Sequence, residues 1–197
     1  MKTSALFALV FGAALIRAAD YPAPVENDWV VHDFRFHTGE TLPDLRLHYI
    51  TVGARTGEPV LILHGTNGTG RAFLRPDFAG ELFGPGQPLD AATHFIILPD
   101  AIGAGKSSKP SDGLRTRFPQ YDYDDMVALQ HEMLEKGLGV NHLRLILGTS
   151  MGCMHSWVWG ETYPDFMDAM MPLACQPVAI AGRNRLWRKA LMDGIKK

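Results

Sequence analysis

The sequence feature that most limits how this 197-residue chain can fold is a serine between two glycines, Gly148-Thr-Ser150-Met-Gly152. An apolar run that predicts a buried strand ends just before this G-x-S-x-G pattern, and a segment with helical character follows it. A serine at such a sharp turn adopts a strained backbone conformation, and small neighbours let the strand and the helix approach each other. The pattern therefore predicts a hydroxyl presented above a sheet, at the positive end of a helix dipole. The alternative is an ordinary helix N-cap at Ser150.

The rest of the chain alternates predicted strands with predicted helices. Two segments alternate apolar and polar residues and predict an antiparallel hairpin, at 29–37 and 45–53. Short apolar runs predict strands buried on both faces, at 59–64, 95–99, 142–147 and 168–175. Helices are predicted at 122–137 and 152–163, and residues 20–27 are expected to be irregular. Together these elements predict an α/β fold with a mostly parallel central sheet, helices on both faces and a leading antiparallel hairpin.

Charge and cysteine content exclude several classes of function. The net charge is −2, so no overall positive potential attracts nucleic acid or an anionic membrane surface. The two cysteines have no zinc-ligand spacing, and neither a metal nor an organic cofactor is indicated. Gly105-Lys-Ser107 resembles the end of a phosphate-binding loop, but Asp100 stands where that loop needs its first glycine. The expected partner is a small molecule, and the sequence does not indicate an oligomeric state.

The N-terminal residues 1–19 have the pattern of a secretory signal peptide, with Lys2 followed by an apolar run. Its removal would leave a secreted or periplasmic protein without a membrane segment. The alternatives are a buried N-terminal helix and a retained anchor, and the protein is expected to be cytoplasmic if the segment is not a signal. Export would permit a Cys153–Cys175 disulfide. Both cysteines lie in segments typical of buried chain, however, so free thiols are expected.

A loop after the first buried strand complements the serine motif. It reads His64-Gly-Thr66-Asn-Gly-Thr-Gly70. An oxyanion hole needs two backbone N–H groups close to the nucleophile. The N–H groups of Thr66 and Met151 are the candidates, and His64 is expected to orient the loop rather than to act as a base.

These motifs resemble those of α/β-hydrolases, and within that fold the homoserine O-acetyltransferase-like group. The general likeness rests on His64-Gly65, on the D-x-x-G-x-G-x-S turn at 100–107 and on the Ser150 motif. The narrower likeness rests on Gly84-Pro-Gly-Gln-Pro-Leu-Asp90, Asp125-Met-Val127 with Gln130, Trp159 and Tyr163-Pro-Asp165. The resemblance implies that Ser150 is the nucleophile, that Thr66 and Met151 supply oxyanion donors, and that an acyl-enzyme forms. Cys153 replaces the second glycine of the group's motif.

The remaining members of a catalytic triad are not found in this sequence. In this fold the acid and then the histidine follow the serine. His155 is the one histidine after Ser150, it precedes every later acid, and its helix carries it away from the hydroxyl. The triad acid and histidine are therefore expected to be absent, as if the chain ended before the lid and the last strands. The core is placed at 20–178. Residues 179–197 are interpreted as the start of a lid or cap helix, or else as a basic patch for an anionic partner.

The leading functional hypothesis is a serine hydrolase that acts on an ester or related acyl substrate through an acyl-enzyme. An O-acyltransferase of the homoserine O-acetyltransferase type would use the same serine with a hydroxyl acceptor. A non-catalytic fragment or binding module is the third hypothesis. The chain alone is expected to be nearly inactive and poorly stable, because its sheet would end in an open edge.

Overall fold

A six-stranded sheet forms the centre of the computed structural model, which describes residues 20–196. The predicted signal peptide at 1–19 lies outside the described residues. The strands are β1 (Val25–Arg35), β2 (Thr41–Val52), β3 (Glu58–Leu63), β4 (His94–Pro99), β5 (Leu145–Thr149) and β6 (Met170–Leu173). The α-helices are α1 (Ala79–Leu82), α2 (Tyr123–Glu132), α3 (Met151–Thr162) and α4 (Gly182–Ile195).

The order of the strands confirms the predicted fold class. The sheet runs β1-β2-β4-β3-β5-β6. β1 pairs antiparallel with β2 and β2 antiparallel with β4, whereas β4, β3, β5 and β6 are parallel neighbours. β5 therefore lies between β3 and β6, and its carboxyl end carries Ser150. In parallel sheets this edge is where ligands bind, because the loops that follow the strands meet there.

Each face of the sheet packs against its own apolar cluster. One cluster joins the sheet to α2 and α3 and includes Leu61, Leu129 and Trp159, all with 0% exposure. The other joins it to α1 and the short 3₁₀ helix Gly70–Leu74, and includes Ile62, Phe73 and Phe83. Ile62 and Leu61 are adjacent in β3 and point to opposite faces, as the two-residue period of a strand requires. This arrangement confirms the prediction of helices on both faces.

Several element boundaries differ from the prediction. β1 begins at Val25, within the stretch expected to be irregular. The predicted helix 122–137 is α-helical only to Glu132 and continues as a π-helical turn over Met133–Leu138. The fourth parallel strand ends at Leu173 because Ala174 has a φ of +60°. A positive φ breaks the extended backbone that strand pairing needs.

The last described helix, α4, follows β6 in the chain and is exposed along its whole length. Its large apolar side chains Leu186, Trp187 and Leu191 are each 67% exposed. Among residues 20–196, no helix is both long and apolar enough to cross a membrane.

Candidate active site

Ser150 occupies the sharp turn between β5 and α3. Its backbone has φ +54° and ψ −111°, a conformation that non-glycine residues rarely adopt. The Ser150 N–H donates to the carbonyl of Leu173 at 2.9 Å, and the Ser150 carbonyl accepts from the Met154 N–H at 3.2 Å. The turn is therefore held from β6 on one side and from α3 on the other. The side chain of Ser150 is exposed at the edge of the sheet.

The glycines of the motif are required by close backbone contacts. A Cβ on Gly148 would stand 2.1 Å from the Gly152 carbonyl oxygen. A Cβ on Gly65 would stand 3.1 Å from the Cβ of Ser150. The loop after β3 thus passes directly beside the serine. These distances confirm the prediction that the strand, the turn and the helix approach too closely for side chains at the glycine positions.

The three residues singled out by the sequence lie around one pocket. Ser150, Thr66 and Met151 all line a cavity of about 410 Å³. Among residues 20–196, the N–H groups of Thr66 and Met151 donate to no protein acceptor. Met151 is the first residue of α3, where N–H groups have no partner within the helix and the dipole favours negative charge. The pocket can therefore receive a polar oxygen next to the serine.

The rest of the pocket is formed by the chain after β6 and by α4. Arg183 and Arg188 line it, and no carboxylate does among the described residues. The Arg188 guanidinium donates to the Asn184 side chain at 2.8 Å. Another wall consists of residues 174–176 and 178–180, which are small or apolar except for Gln176.

His64 holds the loop after β3 in place, as the sequence predicted. Its Nδ1 lies 2.7 Å from the Gly65 carbonyl oxygen, and its Nε2 accepts from the Ala101 N–H at 2.9 Å. Burial lowers the pKa of His64 below its ordinary value. Both ring nitrogens are used in the neutral form, so His64 has no free nitrogen with which to act as a base.

Asp100 ties the same loop to the turn after β4. Its carboxylate is buried and accepts from the Gly70 N–H at 2.8 Å and from the Lys106 N–H at 2.9 Å. Ser107 donates to the Asp100 carbonyl at 2.7 Å. The D-x-x-G-x-G-x-S stretch is therefore a structural turn held together by Asp100.

None of the eight histidines of the chain hydrogen bonds to the Ser150 hydroxyl. His155 is 1% exposed, lies 4.9 Å from the Tyr123 ring between centroids, and has an Nε2 without a partner among the described residues. Burial lowers its pKa to about 3. His155 is thus a packed neutral side chain. No carboxylate contacts the Ser150 hydroxyl within residues 20–196 either.

Comparisons with known sequences and solved structures also point to the fold in which such a serine turn occurs. Residues 58–184 match the family described as alpha/beta hydrolase fold. The chain belongs to this family. A homoserine O-acetyltransferase from Chlorobaculum parvum is 31% identical over 165 residues, which are 78% of this chain and 44% of that protein. The acetyl esterase MekB has a TM-score of 0.74 and 24% identity, covering 87% of this chain and 50% of its own.

A second solved structure shows the same fold. An acetylester hydrolase from Corynebacterium glutamicum has a TM-score of 0.67 and 24% identity, with 75% of this chain and 43% of that chain covered. The chain spans about half the length of the curated relatives it matches.

Other motif residues of this α/β hydrolase stabilise the fold around the site. Trp159 of α3 donates from its indole nitrogen to the Gln130 side chain of α2 at 2.9 Å, and both are buried. The Gln87 side chain accepts from the Gly84 N–H at 2.7 Å and donates to the Gly80 carbonyl, which fixes the loop after α1. These residues carry the narrower resemblance, and their contacts here are structural.

One group of side chains has the composition of a metal site. His37, Asp122 and Asp125 place ligand atoms within 4.8 Å of one another. Asp122 caps the N-terminus of α2, and Asp125 accepts from the Asp122 N–H at 3.1 Å and from His37. The hydrogen bond to Asp125 raises the pKa of His37 above its ordinary value. A helix capping box with an added histidine explains this group.

The expectation of two free cysteines was wrong. Cys153 and Cys175 form a disulfide with a Cα–Cα distance of 5.9 Å. Cys153 is buried in the first turn of α3, as predicted. Cys175 was expected inside a buried strand, but the positive φ of Ala174 ends β6 earlier. The chain therefore turns back over α3, and this brings the two sulfurs together.

Proposed function

We propose that this protein is a serine hydrolase that acts on an ester or related acyl substrate, with Ser150 as the nucleophile. The observation that carries the proposal is the position of Ser150. It lies in a left-handed turn between β5 and α3 and faces a pocket that also contains the unpaired N–H groups of Thr66 and Met151. This combination of a strained serine and two free donors is the arrangement that acyl transfer requires.

The reaction proceeds through an acyl-enzyme. The Ser150 oxygen attacks the carbonyl carbon, its proton passes to a base, and the carbonyl oxygen becomes an oxyanion that accepts from Thr66 and Met151. Collapse of this intermediate breaks the bond to the leaving oxygen, which departs as an alcohol after taking up a proton. Water then attacks the acyl group and releases the acid together with free Ser150.

An O-acyltransferase is the second candidate, and the relatives favour it. Several proteins about 30% identical to this chain bear the name homoserine O-acetyltransferase. Such an enzyme uses the same serine and the same oxyanion donors, but a hydroxyl group of the acceptor replaces water in the second step. The neighbours of similar fold include esterases as well, so both acceptors suit this architecture.

The substrate is a small molecule, and the charge of the pocket favours one with an anionic group. Arg183 and Arg188 line the cavity together with Ser150. A guanidinium binds a carboxylate or phosphate through paired hydrogen bonds.

Helix α4 supplies both arginines and is exposed along its length. We therefore assign residues 179–197 to the start of a lid, and residues 20–178 to the hydrolase core.

The 197-residue chain by itself is expected to be nearly inactive. Ser150 needs a base, and no histidine reaches its hydroxyl within the described residues. The triad acid and histidine would then come from chain outside this sequence.

A secreted or periplasmic location fits the proposal. The pattern of residues 1–19 supports export, and the Cys153–Cys175 disulfide supports an oxidising compartment. N-terminal sequencing of the protein from its source checks this: a mature chain that begins near residue 20 agrees with export, and a chain that begins at Met1 contradicts it.

The deciding experiment is intact-mass spectrometry of the protein from its natural source, with and without a fluorophosphonate probe. Addition of one probe adduct, lost in the recombinant full-length Ser150→Ala variant, is the expected result. Ser111→Ala changes an exposed serine away from the pocket and should label as the wild type does. No adduct on the wild type would favour a non-catalytic fragment or binding module. The acyl acceptor then distinguishes the two candidate activities. Transfer of the acyl group to water indicates a hydrolase, and transfer to an added alcohol indicates a transferase.

A further inference from the structure

The disulfide lies at the wall of the pocket of Ser150. Cys153 is three residues after Ser150, in the first turn of α3. Cys175 is two residues after the end of β6 and itself lines the pocket. The bond joins positions 22 residues apart in the sequence. It therefore links the helix that begins at the serine to the opposite wall of the cavity.

That wall has little else to hold it. Residues 174–180 make no hydrogen bond within the part of the chain that the structure describes. Residues 176–180 line a second cavity of about 220 Å³, together with Tyr123 and α3 residues between Met154 and Glu161. The wall is thus bounded by empty space on two sides. Val178 is 63% exposed, so apolar packing contributes little there.

The catalytic side of the pocket is held differently. Ser150 is tied to β6 by its N–H, and the Thr66 loop is tied through His64 and Asp100 to the turn after β4. These contacts do not involve either cysteine. Breaking the disulfide would therefore release the wall and leave the serine and the oxyanion donors in place.

We propose that the Cys153–Cys175 disulfide is a positioning element for the substrate pocket, which sets the distance between the 174–180 wall and Ser150 and thereby determines substrate affinity. This inference rests on the proposed function of Ser150. With the disulfide intact, the wall is ordered before the substrate arrives. Without it, part of the binding free energy is spent on ordering the wall, so KM rises whereas kcat changes little.

Dithiothreitol provides the perturbation. Each dithiothreitol molecule is oxidised to its cyclic disulfide, and the two electrons and two protons that it gives up convert the Cys153–Cys175 disulfide into two thiols. Iodoacetamide then alkylates both thiols. In the denatured wild-type protein, alkylation is expected only after reduction. Alkylation of both cysteines without dithiothreitol would overturn the proposal.

Kinetics of p-nitrophenyl acetate hydrolysis test the consequence in the full-length protein. Reduction should raise the KM of the wild type roughly threefold to tenfold, the cost of ordering one or two wall side chains on binding. Cys175→Ala should have the raised KM before any reductant is added, and its KM should not change with dithiothreitol. This variant therefore controls for other effects of the reductant. An equal KM in oxidised wild type, reduced wild type and Cys175→Ala would overturn the proposal.

A readout independent of catalysis separates this inference from the proposed function. Arg183 lies three residues after the wall, in the first turn of α4, and is exposed, so trypsin is expected to cleave after it more readily when the wall is mobile. Reduction should accelerate this cleavage in the wild type and not in Cys175→Ala, whose cleavage is fast throughout. If the protein has no esterase activity, the role of Ser150 is wrong, but accelerated cleavage still supports the tether. An unchanged cleavage rate overturns it.

Discussion

Gly152 lies so close to Leu63 that a Cβ on the glycine would stand 2.1 Å from the Leu63 carbonyl oxygen and 2.8 Å from the Leu63 Cβ. Leu63 ends β3, and Gly152 is in the first turn of α3. The contact therefore joins the strand that leads into the Thr66 loop to the helix that begins after Ser150. The contact thereby fixes the distance between Thr66 on the loop after β3 and Ser150 with Met151 at the start of α3, all of which line the pocket.

Gly152→Ala is expected to destabilise the protein by about 1–3 kcal/mol, because a buried backbone carbonyl has no room to move away. Gly194→Ala is the matched control, since Gly194 is also helical and an added Cβ there meets nothing within 4 Å. That substitution should leave stability equal or raise it by about 0.5–1 kcal/mol. Urea unfolding of both variants measures the difference. A Gly152→Ala variant as stable as the wild type would contradict the close approach.

The protein is expected to lose stability as the pH falls, and His155 should account for part of the loss. Burial lowers the pKa of His155 from 6.5 to about 3 in the folded state. Between these values the unfolded chain binds a proton that the folded protein does not. The free energy of unfolding therefore decreases as the pH drops below 6.5, by roughly 1 kcal/mol per pH unit from this one group.

His155→Phe keeps a ring beside Tyr123 and removes the titrating group. Its unfolding free energy should fall less steeply than that of the wild type between pH 6.5 and pH 4, and the two curves should run parallel above pH 7.5. Denaturant titrations at each pH supply the curves. Parallel curves over the whole range would mean that His155 is already protonated or is not buried.

The fold was predictable from the sequence because its strongest signals are local. The continuous apolar runs of β3 and β4 are typical of strands buried on both faces, and Gly148 and Gly152 mark the turn that the serine needs. The leading antiparallel hairpin, the mostly parallel sheet and the role of His64 as a loop anchor also followed from such patterns, whereas the order of the strands came from the structure.

The disulfide could not be predicted in the same way. It depends on the positive φ of Ala174, and alanine gives no local signal for a left-handed turn. The sequence placed Cys175 in a strand, where its side chain would point away from α3. Helix α1 escaped prediction for a related reason, since a helix of four residues is too short to show a periodic pattern.

The buried hydrogen bond between Trp159 and Gln130 is expected to contribute more to the free energy of unfolding than the contacts of the exposed Trp187 do. Trp159→Phe removes the indole donor and leaves the Gln130 oxygen buried without a partner, which costs about 2–4 kcal/mol with the lost volume included. Trp187→Phe changes a side chain that is 67% exposed and should have little effect. In the double variant Trp159→Phe/Gln130→Leu, about 1 kcal/mol or more should be recovered, because no unpaired amide remains. Equal stabilities of the single and double variants would contradict this pairing.

Asp100 is expected to contribute both to the stability of the fold and to the reactivity of Ser150. Its carboxylate accepts from the N–H groups of Gly70 and Lys106 and so holds the loop that contains Thr66. Asp100→Asn replaces one acceptor oxygen with an NH₂ group, which faces the N–H of either Gly70 or Lys106. The loss of a charge-assisted hydrogen bond in a buried site costs about 1.5–3 kcal/mol. Because the loop is loosened, the rate of fluorophosphonate labelling at Ser150 should fall as well. Asp44→Asn changes an exposed carboxylate that pairs with His32, and should alter neither quantity. Wild-type labelling together with wild-type stability in Asp100→Asn would show that the loop does not depend on this carboxylate.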